Sequence, residues 1–457
     1  MKDKRIVVLL KYFKGELNPF DGAALECALE TGAKEIIALT MAPKSAFSAF
    51  QSITRLGVKC VMITDSVYAG SDTQATSFIL AKALKRLRPD LIFCGRQSVD
   101  GDTAQVPPML AQRLGFQIKV KAMAFNGQEI TLRSGESFTL QDKTVLTFEK
   151  IRTLRFPSIF SKLDDVEIWD NNVLQLPIEK CGLNGSPTRV VKSYESSVGR
   201  RDCRFTVLEY LPQLIEEGLQ KERAERTQEL GETLDEAYFV GDVETVAKKI
   251  AKNVIRLEIR NKSPKQIAEE LQAKRVKTVL WEDDETYKII ASQTAVLTGA
   301  GICADCISFR VSNQKLLMTR PALGGNITAD ILCESEMTFA TVRTEKRAGA
   351  DVIFSVGKGA VEHLEKINAL AQKYHAEVCC SRIVADSGKL PYEKQVGLTG
   401  RTVNPKVYVA FGISGAVQHT CAISGAGTVI AVNVDKQARI FDYADYGIIA
   451  EVKNVEL

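Results

Sequence analysis

The feature that most limits what this chain can fold into is a recurring short run of mainly apolar, β-prone residues. Ile6–Leu10, Ile36–Met41, Val58–Ile63 and Leu91–Cys94 are such runs in the first hundred residues. Val276–Leu280, Val352–Val356, Val407–Phe411 and Val429–Val432 are others further on. A strand that is apolar on both faces has to be covered on both faces, which is the condition of a parallel sheet. Stretches of helical character follow several of these runs, at about 21–32, 45–56, 72–87 and 286–297. Strand and helix in alternation, joined by short polar connections, predict doubly wound parallel sheets. At 457 residues the chain is too long for one such unit, so two or three domains are expected.

Bulk properties exclude several classes. A 45% hydrophobic and 25% charged composition is that of a soluble globular protein. A net charge of +4 over this length makes no electrostatic case for nucleic acid. No apolar run reaches the roughly 18–20 residues of a membrane span. Met1 leads directly into a strand with no leader pattern, and the 11 scattered cysteines form no disulfide framework. A cytoplasmic protein with reduced thiols is expected.

The chemistry concentrates near the C-terminus. Val407–Phe411 opens into Gly412-Ile-Ser-Gly-Ala-Val-Gln-His419, a glycine turn feeding a short helix. Glycines there let backbone N–H groups approach a phosphate closely. The strand Val429–Val432 leads to Asn433, whose amide can read a nucleotide edge. His419, one of three histidines, stands beside this turn rather than on an apolar face.

The order of these pieces resembles the FAD-binding domain of the electron transfer flavoprotein (ETF) α subunit. The matching segments are Gly412–His419, Val429-Ile-Ala-Val-Asn-Val-Asp435 and Ala444-Asp-Tyr-Gly-Ile-Ile-Ala-Glu451. The resemblance implies FAD contacts from Gly357, Lys358 and Gly359 (Lys358 replacing an arginine), and from Ser381 and Arg382, with Arg382 against the isoalloxazine. It implies further contacts from Gln395, Val396, Gly397, Thr399 and Gly400. Thr399 is placed at flavin N5, and Leu398 stands where the family has glutamine. Gly412, Ile413, Ser414, Gly415, Ala416, Gln418 and His419 follow, with His419 near the C2 carbonyl. Asn433, Asp435, Asp445 and Tyr446 are implied for the adenosine half.

The first third carries Gly95-Arg-Gln-Ser-Val-Asp-Gly-Asp-Thr-Ala-Gln-Val106 at the end of its fourth strand, where such sheets bind ligands. Asp102 or Thr103 could cap the helix that runs on through Leu114, and Asp21 could cap the first helix. This loop, with Asn18–Asp21, Gly70–Thr73 and Gly185–Val191, is similar to the ETF β subunit. The resemblance implies a second nucleotide, AMP or a second FAD, at Gly95, Asp100, Gly101, Asp102, Thr103, Ala104, Gln105 and Val106. Arg155–Lys162 resembles the subunit's partner-docking loop, with Phe156 at the anchoring position. Residues 128–151 alternate like antiparallel strands.

From Leu208 to Arg260 the chain is heavily charged and reads as helical, with Gly241–Ile250 similar to the β subunit's terminal arm. Gly299–Cys306, Met318–Asn326 and Thr338–Arg343 resemble the α subunit, and Cys303 and Cys306 read as structural thiols. The expected organisation is therefore a β–α fusion. It comprises a β-like domain with its arm (1–258), a shortened α-like N-terminal domain (259–335) and a Rossmann-like FAD-binding domain (336–457). The first two are expected to be doubly wound, of the adenine-nucleotide α-hydrolase-like kind. The implied function is electron transfer through FAD between a dehydrogenase or reduced carrier and a redox partner such as a ferredoxin or quinone oxidoreductase. Two alternatives remain: a bifurcating form whose second FAD oxidises NADH, and a non-redox scaffold, against which Arg382, Thr399 and His419 argue.

Overall fold

The computed structural model describes residues 1–195, 200–221, 232–323, 327–343, 350–397 and 400–455. The chain divides into two compact units: residues 1–193, 230–323 and 329–343 in one, and 194–229, 324–328 and 344–457 in the other.

The chain forms a two-stranded hairpin, Tyr12–Phe13 with Glu16–Leu17, and a four-stranded sheet in the order Thr188–Glu195, Ile327–Cys333, Lys315–Ala322 and Ser308–Ser312. Two large sheets frame the first unit. The larger has nine strands in the order Val166–Trp169, Lys59–Ile63, Glu35–Met41, Arg5–Leu10, Leu91–Gly95, Thr144–Phe148, Gln117–Phe125, Glu129–Leu132 and Ser137–Thr139. Its first seven strands are parallel, and helices Pro19–Glu30, Thr73–Leu87 and Val106–Leu114 cover it. Two separate buried clusters, one on each face, explain why these strands are mainly apolar on both faces.

The expected antiparallel pairing of 128–151 holds only in part. Glu129–Leu132 and Ser137–Thr139 form the antiparallel edge. Thr144–Phe148 is instead a central, wholly buried parallel strand. Its threonines imitate the polar positions of an alternating strand, yet Thr147 is buried, its hydroxyl accepting from Lys121 N at 2.9 Å where the register shifts.

The second sheet is all-parallel, in the order Ala251–Arg256, Leu234–Val240, Thr278–Glu282, Thr338–Val342 and Gly301–Cys306. Two of its strands lie in the segment read as a charged helical arm, and that reading is corrected. Leu234–Val240 is a β-prone run ending at Gly241, and the charge around it obscured the pattern. Helix Glu244–Ile250 is the crossover joining it to Ala251–Arg256.

The second unit is built on a six-stranded, all-parallel sheet: Arg204–Thr206, Tyr446–Ile448, Thr428–Val432, Val407–Phe411, Val352–Val356 and Glu377–Cys380. The arm proper is 200–221. Arg204–Thr206 adds the edge strand, and helix Leu211–Gln220 packs Leu211, Leu214 and Ile215 into the same core as Val407, Val409 and Ile430. Cys379 and Cys380 are fully buried in different clusters, as adjacent strand residues on opposite faces must be.

Candidate nucleotide-binding sites

In the second unit the carboxyl ends of four neighbouring strands open at one edge, at Gly357, Ser381, Gly412 and Asn433. The turns there are stitched to one another. Gly357 N donates to Phe411 O at 2.8 Å, Gly412 N to Val432 O at 2.9 Å and Ser381 N to Val356 O at 2.9 Å. The 395–401 turn joins them through Val396 N to Cys380 O at 2.8 Å, and closes on itself from Arg401 N to Gln395 O at 2.8 Å.

Glycine is required at several of these points because backbone meets backbone. A Cβ on Gly357 would fall on the Gly412 carbonyl, and one on Gly400 would fall on that of Gln395. Gly415 has φ +85°, and a side chain there would strike Ile440 N. Asn433 is spent inside this structure: Nδ2 donates to Ile413 O at 2.9 Å and Oδ1 accepts from Asp435 N at 3.0 Å. It fixes the turn that presents Ser414, Ala416 and Gln418, all exposed.

Lys358 and Gly359 are exposed at the same edge, and Gln395, Val396 and Gly397 are buried beneath it. Arg382 opens a one-turn helix, half-exposed, with Nε 3.3 Å from Asp386 Oδ2. Thr399 lies outside the described residues.

His419 sits behind the glycine turn in helix Val417–Thr420 and is buried. Its Nε2 meets the Tyr408 hydroxyl at 2.8 Å, while Nδ1 makes no hydrogen bond of normal geometry. Burial lowers the imidazole pKa to about 4, opposed only in part by the Val396 backbone, so the ring is neutral at physiological pH. A buried ring nitrogen left over at a glycine-lined edge fits a bound group that supplies the missing partner.

The structure does not bring Asp445 and Tyr446 to this edge. Tyr446 pairs with Ile430, midway along the neighbouring strand, and Asp445 N donates to Val429 O at 2.8 Å nearer that strand's amino end, so neither residue reaches the end marked by Gly412 and Asn433. Asp445 is engaged by Arg201, whose guanidinium also donates to Gly427 O at 2.9 Å and Ala426 O at 2.5 Å, and it accepts from Val429 N at 2.8 Å. It is a clasp for the arm.

The second candidate is the 95–106 loop of the first unit. Asp21 is not a cap. Asn18 begins the helix, and Asp21 is buried, its two oxygens accepting from Lys11 N and Gly95 N, both at 2.8 Å. Burial raises its pKa to about 7 despite these bonds. Asn18 Nδ2 holds Gln97 O at 2.9 Å, and Lys11 Nζ lies 2.8 Å from Asp100 Oδ2.

Neither Asp102 nor Thr103 caps the following helix, which starts at Val106 after Gln105. Asp102 bonds Gln97 at 3.0 Å instead, and the backbone turns through left-handed conformations at Asp102 (φ 51°) and Ala104 (φ 54°), rare for residues with side chains.

Sequence reasoning missed the most telling residue here. Arg320, on strand Lys315–Ala322, is buried and donates from Nη1 to Gly101 O at 2.7 Å. Its Nε and Nη2 have no partner, and neither have Gln105 Nε2 and Asp100 Oδ1. A guanidinium buried with donors to spare is costly unless an anion meets it. Its motif, Met318–Asn326, was visible, but nothing in the sequence places it over a loop more than two hundred residues earlier. The arrangement fits a phosphate-bearing ligand.

Elsewhere in the first unit, Phe156, Ile159, Phe160 and Leu163 are 95%, 85%, 86% and 58% exposed, an unusual apolar density for one loop. The loop is pinned at its base by Arg155 Nη2 to Glu26 Oε1 at 2.6 Å and by Arg55 Nη2 to Ser158 O at 3.1 Å. No helix among the described residues is long and apolar enough to cross a membrane.

Comparison with known proteins finds family matches in both parts of the chain. Residues 348–424 match the electron transfer flavoprotein FAD-binding domain. Residues 6–137 and 243–367 each match the electron transfer flavoprotein domain, together more than half of the chain. The electron transfer flavoprotein subunit alpha of Thermoanaerobacterium thermosaccharolyticum is 31% identical over 42% of this chain and 72% of its own length. The subunit beta of Clostridium acetobutylicum is 33% identical over 40% and 76%. The acryloyl-CoA reductase electron transfer subunit beta of Anaerotignum propionicum is 35% identical over 34% and 56%. The chain spans little more than half the length of some relatives it matches. By these matches it belongs to the electron transfer flavoprotein family, with β-like and α-like parts in one polypeptide.

Proposed function

We propose that this chain carries electrons through FAD held at the 357–433 edge of its second unit, with a second nucleotide at the 95–106 loop of its first. The observation that carries the reading is the convergence of Gly357, Ser381, Gly412 and Asn433 on one edge beside a neutral His419 with an unspent Nδ1. FAD bound there supplies reversible one- and two-electron redox chemistry. The protein's share is binding and electrostatics. The glycine turns admit a pyrophosphate close to backbone N–H groups, Arg382 and Lys358 would put positive charge near the isoalloxazine, and His419 offers a hydrogen bond without a charge.

At the second site the unpartnered donors of Arg320 and Gln105 favour an anionic nucleotide, AMP or FAD. If it is FAD, the chain becomes a candidate for splitting electron pairs from NADH. The exposed Phe156–Leu163 loop is the surface we assign to docking a redox partner. One relative is by name the electron transfer subunit of an acryloyl-CoA reductase, so an acyl-CoA flavoenzyme is the first partner to test.

The test is a nucleotide census. The purified protein is denatured, and released FAD, FMN and AMP are quantified per chain. One FAD with one AMP is the single-flavin carrier; two FAD direct the next measurement to reduction by NADH. Protein that yields no flavin, even after reconstitution, overturns the proposal and leaves a scaffold.

A further inference from the structure

The 395–401 turn stands beside the glycine edge without being a strand of the six-stranded sheet. Val396 N to Cys380 O at 2.8 Å ties it to the edge strand Glu377–Cys380. Gly397 N to Arg401 O at 3.1 Å and Gly400 N to Gly397 O at 2.9 Å close it on itself. It also presses on the helix that carries His419, since a Cβ on Gly397 would lie 3.0 Å from Gln418 O. The shape of this turn therefore sets one wall of the edge.

Both ends of the turn meet a single carboxylate. Glu377, first residue of the edge strand, accepts at Oε1 from Lys394 Nζ at 2.7 Å, just before the turn. The same oxygen accepts from Arg401 Nη1 at 2.6 Å, where the turn closes, and Oε2 accepts from Arg401 Nη2 at 3.3 Å. An isolated ion pair at a surface contributes little, because water and salt screen it. Here the Glu377 side chain is only 16% exposed, and a lysine and both arms of a guanidinium converge on it. Such a fork has a fixed direction, so it restrains where each end of the turn can lie. Burial opposes the charge on Glu377, and the two cations outweigh it and hold the carboxyl below its ordinary range.

We propose that Glu377 is a positioning residue: by bracing Lys394 and Arg401 it fixes both ends of the 395–401 turn. It thereby fixes the wall that Gln395, Val396 and Gly397 form beside Gln418 and His419. None of these contacts is local in sequence to Glu377, and the carboxylate itself stays behind the turn, away from any ligand. The consequence for a bound cofactor rests on the flavin reading above, whereas the brace does not.

Glu377→Gln keeps the shape of the side chain and removes its charge. In full-length, flavin-free protein, backbone hydrogen exchange over 395–401 should quicken roughly tenfold, with Val352–Val356 unchanged. Lys394→Met combined with Arg401→Met should give the same local change, and adding Glu377→Gln to that pair should add nothing. FAD titrated into the same samples should bind roughly tenfold more weakly to either variant. At saturation the visible band of the bound flavin should move toward that of free FAD, which a loss of stability alone does not cause. Unchanged exchange in Glu377→Gln overturns the proposal, and so does faster exchange spread over the whole sheet, the mark of an ordinary stabiliser. Faster exchange confined to the turn, with affinity and band unmoved, also overturns it, because the brace then positions nothing. Parent protein that binds no FAD overturns the flavin reading instead, and the exchange measurement still decides whether Glu377 braces the turn.

Discussion

The two candidate sites occupy the same kind of place, the carboxyl end of a central parallel strand, and are built in opposite ways. The 412–419 turn is made of local backbone: glycines admit neighbouring turns so close that a methyl group would collide. The 95–106 loop keeps its shape with side chains brought from elsewhere: Asn18, Lys11 and Arg320. Its left-handed residues are not glycines but Asp102 and Ala104. One site is rigid by exclusion, the other by attachment, so they should break differently.

The largest effect is expected at Gly415. An alanine there meets both a positive φ and the Ile440 nitrogen, which should cost about 3 kcal/mol or more. FAD should be lost from the second unit while the nucleotide of the first is retained. Released nucleotide per chain and thermal unfolding check both halves.

Arg320→Met should do the reverse. Losing a charge-assisted contact to an anionic ligand, at about 1.5–3 kcal/mol per hydrogen bond, should weaken the second nucleotide by roughly tenfold to a few hundredfold. FAD content of the C-terminal unit should be unchanged. The nucleotide-free protein should be no less stable, since the change removes a buried charge with unpartnered donors. Titration of AMP or FAD into stripped protein measures it, and a marked loss of apo stability would show that the guanidinium is structural.

Acid should also separate the sites. His419 is lowered from 6.5 to about 4 by burial, so the unfolded chain binds the proton more readily. Stability from this group is intact above pH 6.5 and is lost as pH falls toward 4, on the order of 3 kcal/mol. Asp21 is raised to about 7, so here the folded state holds the proton, and stability is lost as pH rises from about 4 to 7. Urea unfolding across pH 4–7 should show opposite slopes for the two units. His419→Gln should flatten that of the second unit and Asp21→Asn that of the first, at the expense of one backbone hydrogen bond.

The same contrast explains what could be read from the sequence. The glycine edge was legible because its constraints are contiguous: Gly357, Gly412, Gly415 and His419 announce the turn they form. The loop after Leu91–Gly95 was legible as a site, yet Arg320 was not, because a contact across more than two hundred residues leaves no local trace. Leu234–Val240 was hidden by the charge of its neighbours, and Thr144–Phe148 by hydroxyls that pass for solvent-facing positions. Both are cases where tertiary burial overrides a pattern read one residue at a time. His419 was identified from its turn, but its neutrality, set by its burial, was not.

Asp445 gives the smallest and most discriminating test. Its motif stands close in sequence to Asn433, which assigned it to a ligand, but the parallel register keeps it short of the end that Asn433 marks. There its carboxylate holds Arg201 and Val429 N. Asp445→Asn keeps one oxygen for the backbone and weakens the ion pair, which is partly exposed, so the expected loss is about 1 kcal/mol. The lost stability should appear as easier release of the 200–221 arm, read by limited proteolysis after Arg201 or Arg204, with FAD content unchanged. Arg201→Gln should reproduce it, since both changes cut the same clasp. If Asp445→Asn lowers FAD content and Arg201→Gln does not, the carboxylate serves the ligand after all, and the site extends to the far edge of the sheet.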